Sequence, residues 1–354
     1  MNAASYNSLM SDEAPKKKKR PFWRKRVRRS TTEGEHKAVL LAEVLAALNP
    51  QPGQTVVDCT FGFGGHSLEL LQRIAPDGLL IATDLDAANL EPLPAWADPG
   101  SGDTPTSARA KLEAVGGLFA LHHSNFAGLP TVLALEGVTQ VDGVLADLGM
   151  SSMQVDDRTR GFSFMRDGPL DMRMDRTRGR TATNLLATLT RDELAACFRD
   201  LGDEPQSEAI ADAIVAQREV KPIERTKELR ELIEKAAPVR LNRTPGAPTE
   251  RKQLLGPTTR VFQSLRILTN RELANLQQLL RVLPTVLKPG GVAAIISFHS
   301  GEDRLVKAAF RDGLRAGVYE TVSPDAIRPT FEERRANPRS RSAKLRVARM
   351  KSVS

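Results

Sequence analysis

The chain has 354 residues, 27% of them charged, and carries a net charge of +8. That length buries one large core, or one core with a sizeable inserted module. No apolar run approaches the roughly 18 residues of a membrane span. Two cysteines, Cys59 and Cys197, exclude a disulfide framework and point to a reducing, cytoplasmic compartment.

The charge is unevenly placed. Ten Lys/Arg against Asp12 and Glu13 in the first thirty residues account for all of the +8, leaving 41 bases and 41 acids in the rest. Residues 1–33, with "PKKKKRPFWRKRVRRS", hold too few apolar side chains to fold alone and read as a disordered basic arm. Nucleic-acid attraction, with Phe22 and Trp23 available to stack, and a merely solubilising extension fit this arm equally well.

From Val39 the pattern becomes regular. "KAVLLAEVLAALN" has helical apolar spacing and ends at Asn49-Pro50. "TVVDCT" reads as a buried strand and "HSLELLQRIA" as the helix after it. "GLLIATDLD" (78–86) is a second apolar strand, and "ADPGSGDTPTSARA" (97–110) a polar surface loop. "GLFALHHSNF" (117–126) and "VDGVLADLG" (141–149) are further strands, with "LPTVLALEG" a helix between them. Near-continuous apolar strands alternating with helices predict an α/β fold with a parallel sheet covered on both faces. Residues 159–262 offer helices ("RDELAACFRDLG", "SEAIADAIVAQRE", "TKELRELIEKAA") and no persuasive strand, so they read as an inserted all-helical module. The helix "NRELANLQQLLRVLPTVL", the strand "GGVAAIISFHS", the helix "GEDRLVKAAFRDG" and the strand "AKLRVARM" then return to the sheet. The α/β domain is thus discontinuous, spanning 34–158 and 263–354.

Chemistry concentrates where strands end. In "VVDCTFGFGGHSLELL" a strand meets a glycine turn and a helix, which brings backbone N–H groups against a ligand. A dinucleotide fingerprint would need a third glycine where Ser67 stands. About 20 residues on, Asp84 ends the second strand, where a carboxylate grips ribose hydroxyls; NAD and S-adenosylmethionine both present a ribose there. Asp147, at the tip of the fourth strand beside Ser151, suits a different task. A ring amine attacks a methyl donor only when acceptors hold its N–H bonds and let the nitrogen pyramidalise, and Asp147, Ser151 or nearby carbonyls can serve. Methylation at carbon would instead call for a cysteine nucleophile, and neither Cys59 nor Cys197 lies in such a motif. His66, His122, His123 and His299 show no metal-ligand spacing. "GFSFMRDGPLDMRMD" reads as a base pocket or lid, with Arg166 or Arg173 meeting phosphate, or as a packed linker. Nine Lys/Arg against Glu332 and Glu333 in residues 328–351 favour RNA phosphate contact by Arg339 and Arg341.

These stretches, with "DCTFGFGGHS", "VDGVLADLGMSSMQVDDRTRGFSFMRDGPLDMRMD", "RVFQSLRILTNREL", "ISFHSGEDRLVK" and "NPRSRSAKLRVA", closely resemble the bacterial small-subunit (16S) rRNA cytosine-N4 methyltransferases from about Gly34 to Met350. The resemblance implies a class I (Rossmann-like) methyltransferase sheet with a helical substrate module inserted after the fourth strand. It implies S-adenosylmethionine as cofactor, held at positions matching Gly64, Gly65, His66, Asp84, Phe126, Asp147 and Gln154, and a target cytosine in the ribosomal decoding region. 16S rRNA within the small ribosomal subunit would then be the partner, with no membrane; a homodimer is left open. The alternative is a non-catalytic RNA-binding assembly factor that keeps the fold. The inserted stretch "GDEPQSEAIADAIV" lacks the basic residues usual in that family module, which weakens RNA contact from there.

Overall fold

The computed structural model describes residues 38–90, 108–239 and 253–352. The basic arm and most of the polar loop 97–110 lie outside the described residues; Ala108–Val115 is already a helix.

Seven strands form one sheet: β1 Thr55–Asp58, β2 Leu79–Asp84, β3 Leu118–His123, β4 Val141–Asp147, β5 Leu287–Ser297, β6 Tyr319–Val322 and β7 Lys344–Met350. Their order is β3-β2-β1-β4-β5-β7-β6. The first five pair in parallel; β7 runs antiparallel to both β5 and β6. The period of two sorts their side chains. Val57, Ile81, Val144 and Ala146 face one apolar cluster, shared with the helices Leu129–Leu135, Glu272–Val286 and Ser300–Arg315. Val56, Leu80, Ala82 and Leu145 face another, shared with the helices Leu41–Leu48, Gly65–Ile74 and Ala108–Val115. Helices therefore cover both faces, as buried parallel strands require. Neighbouring strands leave β1 on opposite sides, toward β2 and toward β4, which opens a crevice at their carboxyl ends.

The inserted module has its own core, in which Phe198, Ile210, Ile214, Leu229 and Ile233 are fully buried. Two of its helices begin with reciprocal Thr caps, Thr181 with Asn184 and Thr190 with Glu193, each satisfying amides that an open helix end would expose. The helix Gly256–Asn270 runs through the expected boundary at residue 262: Val261 and Phe262 pack in the module's core as expected, and so does Leu265 beyond it. The chain passes back at Arg271, which adopts φ +53° between two helices.

Candidate active site

A cavity of about 460 Å³ lies in the crevice where β1, β2 and β4 end. The turn after β1 is built on a buried carboxylate. Asp58 accepts hydrogen bonds from the Thr60 amide (3.0 Å) and the Ser67 hydroxyl (2.6 Å), tying strand to helix across the turn. Gly62 and Gly64 take positive φ there. A Cβ on Gly64 would come within 3.1 Å of Phe61 and Ala108, so this glycine shapes the turn from behind; Gly62, Phe63, Gly65 and His66 are the turn residues that line the cavity.

Asp84 lines the cavity at the end of β2. It accepts from the Gly62 amide (2.8 Å), the Asp86 amide (2.8 Å) and the Asn89 side chain (3.0 Å). A carboxylate has about four lone-pair positions, so one acceptor site is left for a ligand hydroxyl. Burial lifts its pKa to about 6, although those three donors oppose the rise.

At the tip of β4, the Asp147 amide donates to Thr60 Oγ1 (2.7 Å), which fixes the backbone. Its Oδ1 is buried without a hydrogen-bond partner. Burial, reinforced by the charges of Asp58 and Glu302, pushes its pKa well above the carboxylate range. His66 stands opposite, its Nδ1 3.8 Å from Asp147 Oδ2. The His66 Nε2 meets the Val39 carbonyl at 3.0 Å. A carbonyl only accepts, so Nε2 carries the proton and Nδ1 presents a lone pair. Burial holds this histidine below its usual pKa, against the pull of Asp58 and the Val39 carbonyl. Two acceptors thus face each other across a gap suited to a donor.

Ser151 also lines the cavity, and its hydroxyl accepts from the Gln154 amide at 3.3 Å. Gln154 reaches the cavity wall, but its side-chain amide is engaged by the protein: Oε1 accepts from Ser151 N (3.0 Å) and Nε2 donates to Asp86 (2.8 Å). Asp86 in turn holds Arg160 at 2.7 Å, and Arg160 donates to the carbonyls of Arg173 and Met174. Gln154 and Arg160 therefore brace the crevice against the inserted module.

Four expected positions fall elsewhere or are otherwise occupied. Phe126 does not line the cavity; it packs against the sheet's apolar cluster. Arg173 is spent on a forked pair with Asp171, at 2.7 and 3.0 Å, and is not free for phosphate. Arg166 pairs with Asp156 at 3.3 Å. Arg341 is exposed at the surface and does not reach the cavity, whereas Arg339 lines it, 3.8 Å from the same Asp156.

The far wall holds residues that strand-end reasoning missed: Arg266, Phe298 and Asn337. Arg266 grips Glu272 with two bonds, at 2.9 and 2.8 Å. Behind it, Glu302 accepts from the amides of Phe298 (2.8 Å) and His299 (3.3 Å). Burial raises the Glu302 pKa, but His299, Arg266 and the Phe298 amide outweigh it and hold the group ionised. Glu272, His299 and Glu302 gather within metal-ligand reach of one another. The Arg266 guanidinium already occupies Glu272, so the cluster reads as a buried ion network. Both cysteines are buried, and burial pushes the Cys59 thiol up strongly and the Cys197 thiol to about 12, which removes either as a nucleophile.

A model of the MraW methylase family matches residues 33–351. The chain is 42% identical over 327 residues to the ribosomal RNA small subunit methyltransferase H of Leptothrix cholodnii, covering 89% of this chain and 93% of the relative. It is 42% identical over 322 residues to the protein of that name in Methylococcus capsulatus, covering 87% and 98%. It is 39% identical over 330 residues to the one in Syntrophotalea carbinolica, covering 89% and 98%.

Proposed function

The chain belongs to the MraW methylase family, and we propose that it methylates the N4 amine of a cytosine in the decoding region of small-subunit (16S) ribosomal RNA, using S-adenosylmethionine. The relatives' names support an rRNA substrate of the small subunit; the amine rests on the family resemblance and on the chemistry of Asp147. No helix among the described residues is long and apolar enough to cross a membrane, and the reaction belongs in the cytoplasm, where small subunits are made.

The residues present fit the cofactor. Asp84 keeps one acceptor position toward the cavity for a ribose hydroxyl, the Gly62–Gly65 turn lets a ligand approach the backbone, and His66 and Asp147 offer acceptors for the methionine end. When bound, S-adenosylmethionine supplies an electrophilic methyl group on sulfur. The chain's own part is to present the nucleophile. The cytosine N4 lone pair is delocalised into the ring, and the unpartnered Asp147 Oδ1 can accept one of its N–H bonds and draw it out. Methylation of N4 by that group would require the amine to shed one proton. A carboxylate whose pKa is raised takes that proton more readily than an ordinary one. Holding both reactants in one crevice supplies much of the rate. The base must leave its stack, at about a few kcal/mol, which favours a structured ribosomal site over free RNA.

The observation that carries this reading is the Asp147 carboxylate at the tip of β4, which lines the cavity with its Oδ1 buried and without a hydrogen-bond partner. Asp147→Asn keeps the shape and removes the charge. Its turnover at saturating cofactor falls by about two orders of magnitude or more, the scale of lost acid–base catalysis. Turnover within a few-fold of the parent would reject Asp147 as the group that orients the amine.

A further inference from the structure

The segment that leads from the cavity wall to the surface carries a feature the reaction does not use. Phe331 is 67% exposed, the first residue of the short helix Phe331–Ala336. An exposed aromatic alone is ordinary. This one lies on an anchored segment that also carries exposed arginines without ion pairs among the described residues.

The segment is fixed at several points. Ile327 and Leu345 exchange backbone hydrogen bonds at 2.9 Å, which anchors its start to β7. Thr330 caps the helix by accepting from the Glu333 amide (3.1 Å), and Glu333 Oε1 accepts from Leu40 N (2.9 Å). At its end, buried Asn337 and half-buried Arg339 line the cavity. Six residues of helix rise about 9 Å, so the backbone of Phe331 lies about that far along the helix from Asn337 at the cavity wall. Arg328, Arg334, Arg335 and Arg341 are exposed on the same segment, and none makes an ion pair among the described residues. A polyanion with flat bases suits such a patch.

We propose that Phe331 is a stacking platform for an unpaired base beside the target cytosine, with Arg334 and Arg335 holding the flanking phosphates. The inference rests on the RNA-substrate reading above. Stacking on an aromatic face is sequence-tolerant, so the platform fixes where the strand lies without adding base specificity. It also keeps the neighbouring base occupied while the target base is out of its stack.

The test uses the full chain and a fluorescein-labelled single-stranded RNA of small-subunit sequence centred on the methylated cytosine, with Kd read by anisotropy across a salt series. Phe331→Ala is expected to weaken binding about 5- to 100-fold, the range for one lost base stack, and Phe331→Trp to restore it. Arg334→Ala with Arg335→Ala is expected to lower the salt slope by about 2. Cofactor affinity and melting temperature stay at parental values in all variants. RNA binding unchanged in Phe331→Ala, with the parent binding well, overturns the platform and leaves the substrate reading intact. Loss of self-association in Phe331→Ala at unchanged RNA affinity overturns it too and assigns the patch to a second copy. A parent that does not bind this single-stranded RNA overturns the platform as a single-strand site, while the substrate reading stands or falls on assembled small subunits.

Discussion

At the scale of single residues, the site is a set of carboxylates made unequal by their surroundings. Asp84 is buried but served by three donors, and its pKa settles at about 6. Asp147 keeps a buried Oδ1 unserved beside the charges of Asp58 and Glu302, and its pKa is likewise raised. The sign for cofactor binding follows. Above about pH 6 Asp84 is ionised and accepts a ribose hydroxyl; below it the added proton removes acceptor capacity. Cofactor affinity therefore falls on acidification through pH 6, by up to about tenfold per pH unit, one proton's worth of linkage. In Asp84→Asn the affinity is lower throughout, and calorimetry between pH 5 and pH 8 finds it flat through that window; a persisting fall there would move the effect to another group. Asp84 and Asp147 were legible in the sequence because an acid ending an apolar strand has few structural reasons to be there. Arg160 was not. Its partner Asp86 lies 74 residues away, and no local pattern announces a pairing across that distance. Gln154 was legible only as a family position; its link to Asp86 appears once the module is folded against the sheet.

At the scale of elements, the turn after β1 shows how backbone conformation makes a binding surface. Gly64 sits at φ +70° with Phe61 and Ala108 pressed behind it. Gly64→Ala must bear a left-handed conformation costing about 1–3 kcal/mol, and its Cβ must displace packed neighbours. The expected result is a lower melting temperature together with weaker cofactor binding, measured by thermal unfolding with and without S-adenosylmethionine. An unchanged melting temperature would show that the turn can relax without strain. Strong periodicity made most elements readable, including Arg191–Gly202 with its Thr190 cap. β6 was unmarked because it has four residues, two of them exposed, and pairs only at the sheet's edge. The module boundary fell inside a helix because helical periodicity reports that a face is buried, not which core buries it; Leu265, beyond residue 262, still packs in the module's core. Arg173 was misread for a related reason, since Asp171 lies two residues away and claims the guanidinium first.

At the scale of the whole molecule, the sheet supplies the crevice, the inserted module braces its rim through Arg160, and the C-terminal segment brings Arg339 to the cavity wall. Charge follows this division. Base and acid balance across residues 31–354, yet the C-terminal run is strongly basic and the N-terminal arm more so. Positive charge concentrated in these two stretches suits a folded RNA particle that must be gripped around one extruded base. The fold was readable because buried strands and helices announce themselves locally; a surface for RNA was legible only as a concentration of charge, because solvent-exposed side chains follow no period. The central claim is the transfer itself. The most direct measurement incubates the purified protein with labelled S-adenosylmethionine and, separately, free small-subunit rRNA and assembled small subunits from a strain lacking the enzyme, followed by digestion to nucleosides and mass spectrometry. The account predicts N4-methylcytidine in the assembled subunits and little in free RNA. Label in neither substrate, with the cofactor still bound, would contradict it.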